Sequence, residues 1–112
     1  MAIVHLLIDA PDCAGPLNDG ESLLAGLRAA AEAVGATEYG HAEVCYIPHG
    51  ITAIVFLAES HMLISTWPER GLALVDIQLC NDSMNPEAAW EKLSEVLKPR
   101  GGIRTTTIDR II

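Results

Sequence analysis

At 112 residues the chain is long enough for one domain and too short for two, since independent domains mostly need roughly 100–150 residues. Its formal net charge of −8 argues against nucleic acid or an anionic membrane surface as a partner, because such binding depends on clustered Lys and Arg. We therefore treat residues 1–112 as a single domain and expect neither kind of partner.

The N-terminal segment lacks the features of a targeting signal. No basic residue precedes its first apolar run, and Asp9 interrupts that run too early for a signal peptide or a membrane span. The cysteines at positions 13, 45 and 80 form no Cys-x-x-Cys pair that would indicate zinc or a redox couple. We expect a cytoplasmic protein with reduced thiols and without a metal site.

The first half of the chain is predicted to form a strand, a helix and two more strands. An almost continuous apolar run predicts a buried strand over Ala2–Asp9. Apolar residues recur at helical spacing from Glu21 until Gly35, a residue type that commonly ends helices. Tyr39–Ile47 alternates loosely and Ile51–Ala58 is rich in branched residues, so both are predicted strands joined by a tight turn.

The second half is predicted to contain two strands, a helix and a last strand. Met62–Thr66 predicts a short strand and Leu72–Leu79 a longer apolar one, with a turn between them. Asn85 as the cap residue and Pro86 at the first helical position predict the start of the second helix. A Pro and two Gly residues then precede the last predicted strand, Ile103–Ile108.

This order of elements predicts an α+β fold, a two-layer sandwich in which an antiparallel sheet carries both helices on one face. The two halves echo each other as a β-α-β-β pseudo-repeat, in which Asp9 and Cys13 correspond to Asp76 and Cys80. The strands are apolar on both sides, so the second face of the sheet needs a cover. We expect a partner subunit, most simply in a homodimer, or else an unusually apolar surface.

The most unusual stretch is residues 48–69, PHGITAIVFLAESHMLISTWPE, in which a buried strand runs directly into Glu59-Ser60-His61. Polar groups at the end of a core strand need hydrogen-bond partners. The plainest interpretation is that backbone groups satisfy Ser60 and His61 while Trp67 lies in the core. The adjacency of Ser and His does not indicate a catalytic triad, because neighbouring residues of a strand point to opposite faces.

The run AESHMLISTWPE, residues 58–69, resembles the ESH-x-x-x-HTWPE signature of prokaryotic S-adenosylmethionine decarboxylase proenzymes. The likeness extends over nearly the whole chain. HLLID at 5–9 with Cys13 resembles the opening of the family, YIPHG at 46–50 its aromatic-x-P-Q-G turn, and VDIQLC at 75–80 its VD-x-x-x-C strand. The chain thus resembles a divergent member of this pyruvoyl-dependent family.

The resemblance implies a protein that makes its own cofactor. Ser60 is expected to attack the carbonyl of Glu59, and elimination from the resulting ester then cuts the chain between them and leaves a pyruvoyl group at position 60. Such a carbonyl forms a Schiff base with the amine of the substrate and accepts electrons as carbon dioxide leaves. The implied function is S-adenosylmethionine decarboxylation in polyamine (spermidine) biosynthesis, without a metal.

The resemblance also implies roles for the other site residues. Cys80 is expected to donate a proton to the α-carbon of the substrate, Tyr46 to stack on adenine and Glu69 to bind ribose hydroxyls. From the residues alone, Tyr46 is equally consistent with a core aromatic and Glu69 with a solvated turn charge. Family active sites lie at or near a dimer interface, and we expect one cleft to contain Ser60, Cys80 and Tyr46. The expected catalytic residues are Ser60, Cys80, Glu59, His61 and Ser65, and the expected substrate-binding residues are Tyr46, Trp67, Glu69 and Thr52.

The chain departs from the family pattern around this site. Ser65 replaces the second His of the signature, and a hydroxyl cannot act as a base near neutral pH as an imidazole can. Thr52 replaces a Ser, a milder change because the hydroxyl survives, and His49 stands where the family turn has Gln.

Three interpretations stay open at this point. In the first, the protein still cleaves, with His61 or His49 as a substitute base, and decarboxylates S-adenosylmethionine or a basic amino acid such as ornithine or arginine. In the second, it stays uncleaved and binds a metabolite or regulates a true decarboxylase. The third, a plain α+β interaction module, predicts that Ser60→Ala changes nothing except stability.

Overall fold

Segments in which apolar residues alternate with polar ones or form continuous runs become the strands of the fold. The two segments in which apolar residues recur at helical spacing become its helices. The computed structural model describes residues 1–80 and 83–112. A short 3₁₀ turn, Pro68–Arg70, joins the fourth strand to the fifth. The strands and helices of the described residues are β1 Ala2–Ala10, α1 Gly20–Ala33, β2 Glu38–Cys45, β3 Ile51–Leu57, β4 Ser60–Trp67, β5 Leu72–Leu79, α2 Pro86–Leu97 and β6 Arg104–Ile111.

One antiparallel sheet contains the six strands of the described residues, in the order β2-β3-β4-β5-β1-β6. Both helices pack on the same face of this sheet and contact each other. The strand–helix–strand order occurs twice, but α1 connects β1 to β2 across three intervening strands, whereas α2 connects β5 to β6 across β1 alone. The predicted α+β sandwich, with an antiparallel sheet and two helices on one face, is confirmed.

Local capping fixes where the two helices begin. The Asp19 carboxylate accepts hydrogen bonds from the backbone N–H groups of Glu21 at 3.1 Å and Ser22 at 3.5 Å. The Ser22 hydroxyl also donates to this carboxylate at 2.8 Å, and this hydrogen bond holds the pKa of Asp19 below its usual value. At the second helix, the side-chain oxygen of Asn85 accepts from the Glu87 N–H at 3.0 Å, which makes Asn85 the cap that the sequence predicts.

The two helices pack closely because α1 carries Gly26 where they meet. A Cβ at this position would lie 2.9 Å from Cγ2 of Val96 on α2, so a larger side chain would push the helices apart. Leu23, Leu27 and Leu93 are fully buried in the same core, and burial of each such side chain contributes roughly 1.5–3 kcal/mol. Neither α1 nor α2 is long and apolar enough to cross a membrane.

The two faces of the sheet differ in what covers them. Alternate side chains of β3, at positions 51, 53, 55 and 57, are buried beneath the helices. The side chains between them point to the face that carries neither helix, which we call the open face. Phe56 is 46 % exposed there, and Ile54, Leu63 and Leu74 are half-buried on the same face. The sheet is therefore apolar on both sides, as the sequence predicts.

Cross-strand pairing arranges the open face in rows that run across the sheet. The first row lies at the β3–β4 turn, the second at the centre and the third at the opposite end of the strands. Across β3, β4, β5 and β1 these rows are Phe56-His61-Gln78-His5, Ile54-Leu63-Asp76-Leu7 and Thr52-Ser65-Leu74-Asp9.

The strands β4 and β6 are longer than predicted. β4 spans Ser60–Trp67 instead of 62–66, because Leu57 already pairs with Ser60 and only residues 58 and 59 form the connection. β6 extends to Ile111 instead of ending at 108, because it pairs with β1 along almost its whole length. Ser60 is consequently the first residue of a strand and is held in place by its pairing.

Candidate active site

The β3–β4 turn holds the peptide bond at which cleavage is predicted. Ala58 and Glu59 alone make the connection between the paired residues Leu57 and Ser60. Glu59 has a φ of +58°, in the left-handed region that residues other than glycine enter at a cost of about 1–2 kcal/mol. The Glu59–Ser60 bond thus lies in a strained turn at the end of two paired strands.

Ser60 and Cys80 are in direct contact at this end of the sheet. The Ser60 hydroxyl donates a hydrogen bond to the Cys80 sulfur at 3.3 Å. The Cys80 thiol lies 3.6 Å from the carbonyl oxygen of Ala58 and 3.9 Å from a carboxylate oxygen of Glu59. The fold therefore brings together a hydroxyl nucleophile, a thiol that can hold a proton and the carbonyl-bearing residue that the nucleophile would attack.

His61, also predicted to be catalytic, lies on the open face in a polar cluster with His5 and Asp76. Nε2 of His61 is 3.7 Å from Oδ2 of Asp76, and Nδ1 of His5 is 3.9 Å from Oδ1 of Asp76. Within the described residues, Nε2 of His5 and Oδ1 of Asp76 are buried and have no hydrogen-bond partner. In the sequence, His5 and Asp76 interrupt otherwise apolar strands, but their proximity depends on the pairing of β1 with β5 and was not predicted.

A second group of predicted residues lines a cavity at the other end of β3 and β4. Thr52 and Ser65 are direct cross-strand neighbours, and their hydroxyl oxygens are 3.2 Å apart. The hydroxyl of Tyr46 lies 3.0 Å from that of Thr52. Aromatic rings, hydroxyls and a carboxylate together suit a ligand with both a flat ring and hydroxyl groups. We call this space of about 330 Å³ the Tyr46 cavity, and its lining includes Tyr46, His49, Thr52, Ser65, Trp67 and Glu69.

The turn between β2 and β3 fixes one wall of the Tyr46 cavity. Gly50 has a φ of +107°, and its N–H donates to the side-chain oxygen of Asn18 at 2.9 Å. A Cβ at Gly50 would lie 3.1 Å from the carbonyl oxygen of Thr66, so both the conformation and the space favour glycine. Next to it, Nε2 of His49 is in ion-pair contact with Oε2 of Glu69. Two turns far apart in sequence are thus joined across the cavity.

The fold separates the two groups of site residues instead of joining them in one cleft. Ser60 and Ser65 are five residues apart on β4, which corresponds to about 16 Å at 3.3 Å per residue. Tyr46 contacts Thr52 beside Ser65, so its ring lies at the end of the strands opposite to Ser60 and Cys80. The expectation of one cleft containing Ser60, Cys80 and Tyr46 is therefore wrong for a single copy of the chain.

The other two cysteines have local partners of their own. The buried Cys13 thiol donates to the carbonyl oxygen of Ala10 at 3.2 Å, and burial raises its pKa. The exposed Cys45 thiol donates to the Glu43 carboxylate at 3.4 Å, and this hydrogen bond raises the pKa of Cys45. Across residues 1–80 and 83–112, no group of three or more His, Cys, Asp or Glu side chains is arranged to hold a metal ion.

Sequence comparison relates the chain to a known enzyme family. Residues 4–111 match the family model described as S-adenosylmethionine decarboxylase. The S-adenosylmethionine decarboxylase proenzyme of Brevibacillus brevis is 43 % identical over 83 residues, which cover 74 % of this chain and 62 % of that protein. The corresponding proenzyme of Thermosipho africanus is 36 % identical over 95 residues, which cover 84 % of this chain and 73 % of that protein.

Structure comparison gives a concordant result. The crystal structure of the adenosylmethionine decarboxylase from Aquifex aeolicus matches with a TM-score of 0.88 at 29 % sequence identity. The match covers 98 % of this chain and 91 % of that one. The two proteins therefore share one architecture over almost their whole length.

Proposed function

Because the chain belongs to the S-adenosylmethionine decarboxylase family, we propose that it cleaves itself between Glu59 and Ser60 and then decarboxylates S-adenosylmethionine with a pyruvoyl group. The observation that carries the proposal is the contact of the Ser60 hydroxyl with the Cys80 thiol beside the strained Glu59. In this role the protein would serve polyamine (spermidine) biosynthesis in the cytoplasm, a reducing compartment in which Cys80 stays a thiol.

Self-cleavage needs a nucleophile, a susceptible bond and a base. Oγ of Ser60 attacks the carbonyl carbon of Glu59, and the C–N bond between the two residues breaks as an ester forms. A base then removes the Cα proton of residue 60 while the Cβ–Oγ bond of that residue breaks. This releases the main chain of fragment 1–59 with a free C-terminal carboxylate on Glu59. Water replaces the amino nitrogen, ammonia leaves and a pyruvoyl group remains. The positive φ of Glu59 favours cleavage, because the cut relieves its strain.

The residues around position 60 fit the group that this cleavage would make. A pyruvoyl carbonyl supplies an electron sink for the loss of carbon dioxide from an amino acid. The sulfur of Cys80, 3.3 Å from Oγ of Ser60, holds a proton within reach of whatever is bound at position 60. The carbonyl oxygen of Ala58, 3.6 Å from the same sulfur, orients the thiol. Cys80 is therefore the proposed proton donor.

A second copy of the chain is proposed to supply the Tyr46 cavity to each Ser60. Two copies stacked by their open faces, about a two-fold axis that runs across the strands, place β4 on β4 in opposite directions. The third row of one copy, with Thr52 and Ser65, then lies over the first row of the other, whose His61 directly follows Ser60 in the chain. Face-to-face sheets are about 10 Å apart, so groups from both copies can contact one substrate. The same contact would bury Phe56, which is 46 % exposed in one copy.

The Tyr46 cavity suits the adenosine part of S-adenosylmethionine. The Tyr46 ring can stack on adenine, and the Glu69 carboxylate can accept hydrogen bonds from ribose hydroxyls. Trp67, 37 % exposed, adds apolar surface, and Thr52 adds a hydroxyl. Decarboxylation at the Ser60 end of one copy and nucleoside recognition in the Tyr46 cavity of the other copy would then act on the same substrate molecule.

Ser65 is the observation that favours an alternative. Without an imidazole at this position, the chain could remain uncleaved and act as a metabolite-binding or regulatory homologue. An altered cavity could also accept ornithine or arginine in place of S-adenosylmethionine. The first alternative predicts one intact species, and the second predicts two fragments that release no carbon dioxide from S-adenosylmethionine.

The test is the intact mass of the purified protein under denaturing conditions, before and after prolonged incubation. The proposal predicts that the 12.0 kDa chain splits into fragments 1–59 and 60–112, the second with a pyruvoyl terminus. Ser60→Ala should give a single intact species, and Ser94→Ala, at a half-buried serine of α2 away from the β3–β4 turn, is the matched control. A wild-type chain that never splits would instead support the uncleaved homologue. Release of carbon dioxide from labelled S-adenosylmethionine, ornithine or arginine then identifies the substrate.

A further inference from the structure

The Tyr46 cavity is lined by the imidazole of His49, whose Nε2 is in ion-pair contact with Oε2 of Glu69. The side chains are 36 % and 42 % exposed in one copy of the chain, so the pair is accessible from the cavity. An imidazole held by a carboxylate is the usual arrangement of an oriented base, because the carboxylate fixes which ring nitrogen carries the proton.

The proposed self-cleavage requires a base at the Cα proton of residue 60. Among the described residues, the Cys80 thiol beside Ser60 contacts the carbonyl oxygen of Ala58 and the carboxylate of Glu59. His61 is turned to the open face, where its Nε2 is 3.7 Å from Asp76. The hydroxyl of Ser65 cannot remove a proton near neutral pH as an imidazole can. A histidine base for residue 60 would therefore come from elsewhere in the assembled site.

We propose that His49 of one copy is the base that removes the Cα proton of residue 60 in the other copy, and that Glu69 orients it. This inference rests on the proposed function and on its two-copy site. The Glu69 carboxylate holds the protonated Nε2 and leaves Nδ1 with a free lone pair. Nδ1 takes the Cα proton as the Cβ–Oγ bond breaks, and the negative charge of Glu69 stabilises the imidazolium that forms.

Two departures from the family pattern described above support this assignment together. Ser65 lacks the imidazole that the signature has on β4, and His49 adds an imidazole in the β2–β3 turn. Both side chains line the same cavity. The turn therefore supplies, to the same space, the functional group that the strand lacks.

The experiment follows cleavage in protein made by cell-free synthesis, so that the uncut chain is the starting material. The formation of fragment 60–112 is measured by intact mass for the wild type, His49→Gln and His41→Gln. His41 is a matched control, because its Nδ1 also lies near a carboxylate, 3.5 Å from Glu38, but on β2 outside the cavity. We expect His49→Gln to slow cleavage by at least about 100-fold and His41→Gln to leave the rate unchanged.

Two further variants test whether His49 acts as a base or only supports the structure of the cavity. His49→Gln combined with Ser65→His returns an imidazole to the cavity from β4 and should recover most of the rate. His49→Gly should recover cleavage in proportion to the concentration of added imidazole. A residue that only supports the fold would show neither recovery.

The outcomes distinguish the role of His49 from the proposed function. Cleavage of His49→Gln at the wild-type rate would overturn the role of His49 and leave the proposed function intact. Slow cleavage that neither Ser65→His nor imidazole relieves would overturn it as well. A wild-type chain that never cleaves would contradict the proposed function itself and, with it, the need for a base.

Discussion

At the Ser60 end of β4, the Ser60 hydroxyl lies 3.3 Å from the Cys80 sulfur, and the preceding residue Glu59 is strained at a φ of +58°. At the Ser65 end, hydroxyls of Tyr46, Thr52 and Ser65 follow one another at 3.0 and 3.2 Å around a cavity. The first end has a two-residue turn and a nucleophile, while the second has a ring and hydrogen-bonding groups drawn from several segments.

Under the proposed function, one copy of the chain carries two half-sites. The Ser60 end would supply the bond that is cut and the Cys80 thiol. The Tyr46 cavity, whose wall is held by the hydrogen bond from Gly50 to Asn18, would supply nucleoside recognition and the base His49. Because the two ends are about 16 Å apart along β4, the proposed function has the half-sites act together across two copies.

The largest expected effect separates cleavage from decarboxylation at the Ser60 end. Cys80→Ala removes the proposed proton donor but leaves Ser60 and Glu59, so the chain should still cleave while kcat for decarboxylation falls by about 10²–10⁴-fold. Cys45→Ala is the control, because the exposed Cys45 thiol only donates a hydrogen bond to the Glu43 carboxylate and does not contact Ser60. Mass spectrometry reports cleavage and carbon dioxide release reports kcat. An unchanged kcat in Cys80→Ala would exclude Cys80 as the donor.

The next effect concerns the proposed assembly that joins the two ends. Phe56→Asp puts a charged carboxylate on the open face, and burial of a charge costs several kcal/mol, so the Kd of the proposed dimer should rise by about 100-fold or more. Ala29→Asp, at an exposed position of α1, adds the same charge elsewhere and should leave the dimer intact. Analytical ultracentrifugation measures both. Dimers of equal stability in the two variants would show that the open face is not the interface.

A smaller effect sharpens the role of strain at the Ser60 end. Glu59→Gly and Glu59→Ala both remove the carboxylate, but only glycine adopts the positive φ without strain. Cleavage of Glu59→Ala relieves about 1 kcal/mol of strain and cleavage of Glu59→Gly relieves none, so Glu59→Gly should cleave about fivefold more slowly. The rates are compared by intact mass in the same cell-free reaction. Equal rates would remove strain from the account of cleavage.

The smallest effect belongs to the Tyr46 cavity. Asn18→Ala leaves the part-buried N–H of Gly50 without its acceptor, which should lower the free energy of unfolding by about 1 kcal/mol and raise KM. Asn18→Asp keeps an acceptor oxygen and should behave like the wild type. Thermal unfolding and steady-state kinetics give both quantities. An unchanged free energy of unfolding together with an unchanged KM would show that this hydrogen bond does not support the cavity.

Much of the fold could be predicted because its signals are local. The strand Leu72–Leu79 was predicted with its observed bounds, and the cap Asn85 followed by Pro86 marks the observed start of α2. β4 was predicted too short, because the polar pair Ser60 and His61 reads as a loop although both residues pair with β3.

The arrangement of the site could not be predicted, because it depends on contacts between residues distant in sequence. The family resemblance identified Ser60, Cys80 and Tyr46, but only the strand pairing shows that Tyr46 lies at the opposite end from the other two. The cluster of His5 with Asp76 likewise requires β1 to lie next to β5. No local pattern in either strand contains that information.

The most direct test of the central claim mixes two defective chains. Ser60→Ala keeps an intact cavity but cannot form the pyruvoyl group, whereas Tyr46→Ala combined with Glu69→Ala keeps Ser60 but has a defective cavity. If the half-sites meet across two copies, refolding an equal mixture should restore decarboxylation to about a quarter of the wild-type activity, since half of the dimers then contain one complete site. Activity no higher than that of the separate variants would show that each site lies within one chain.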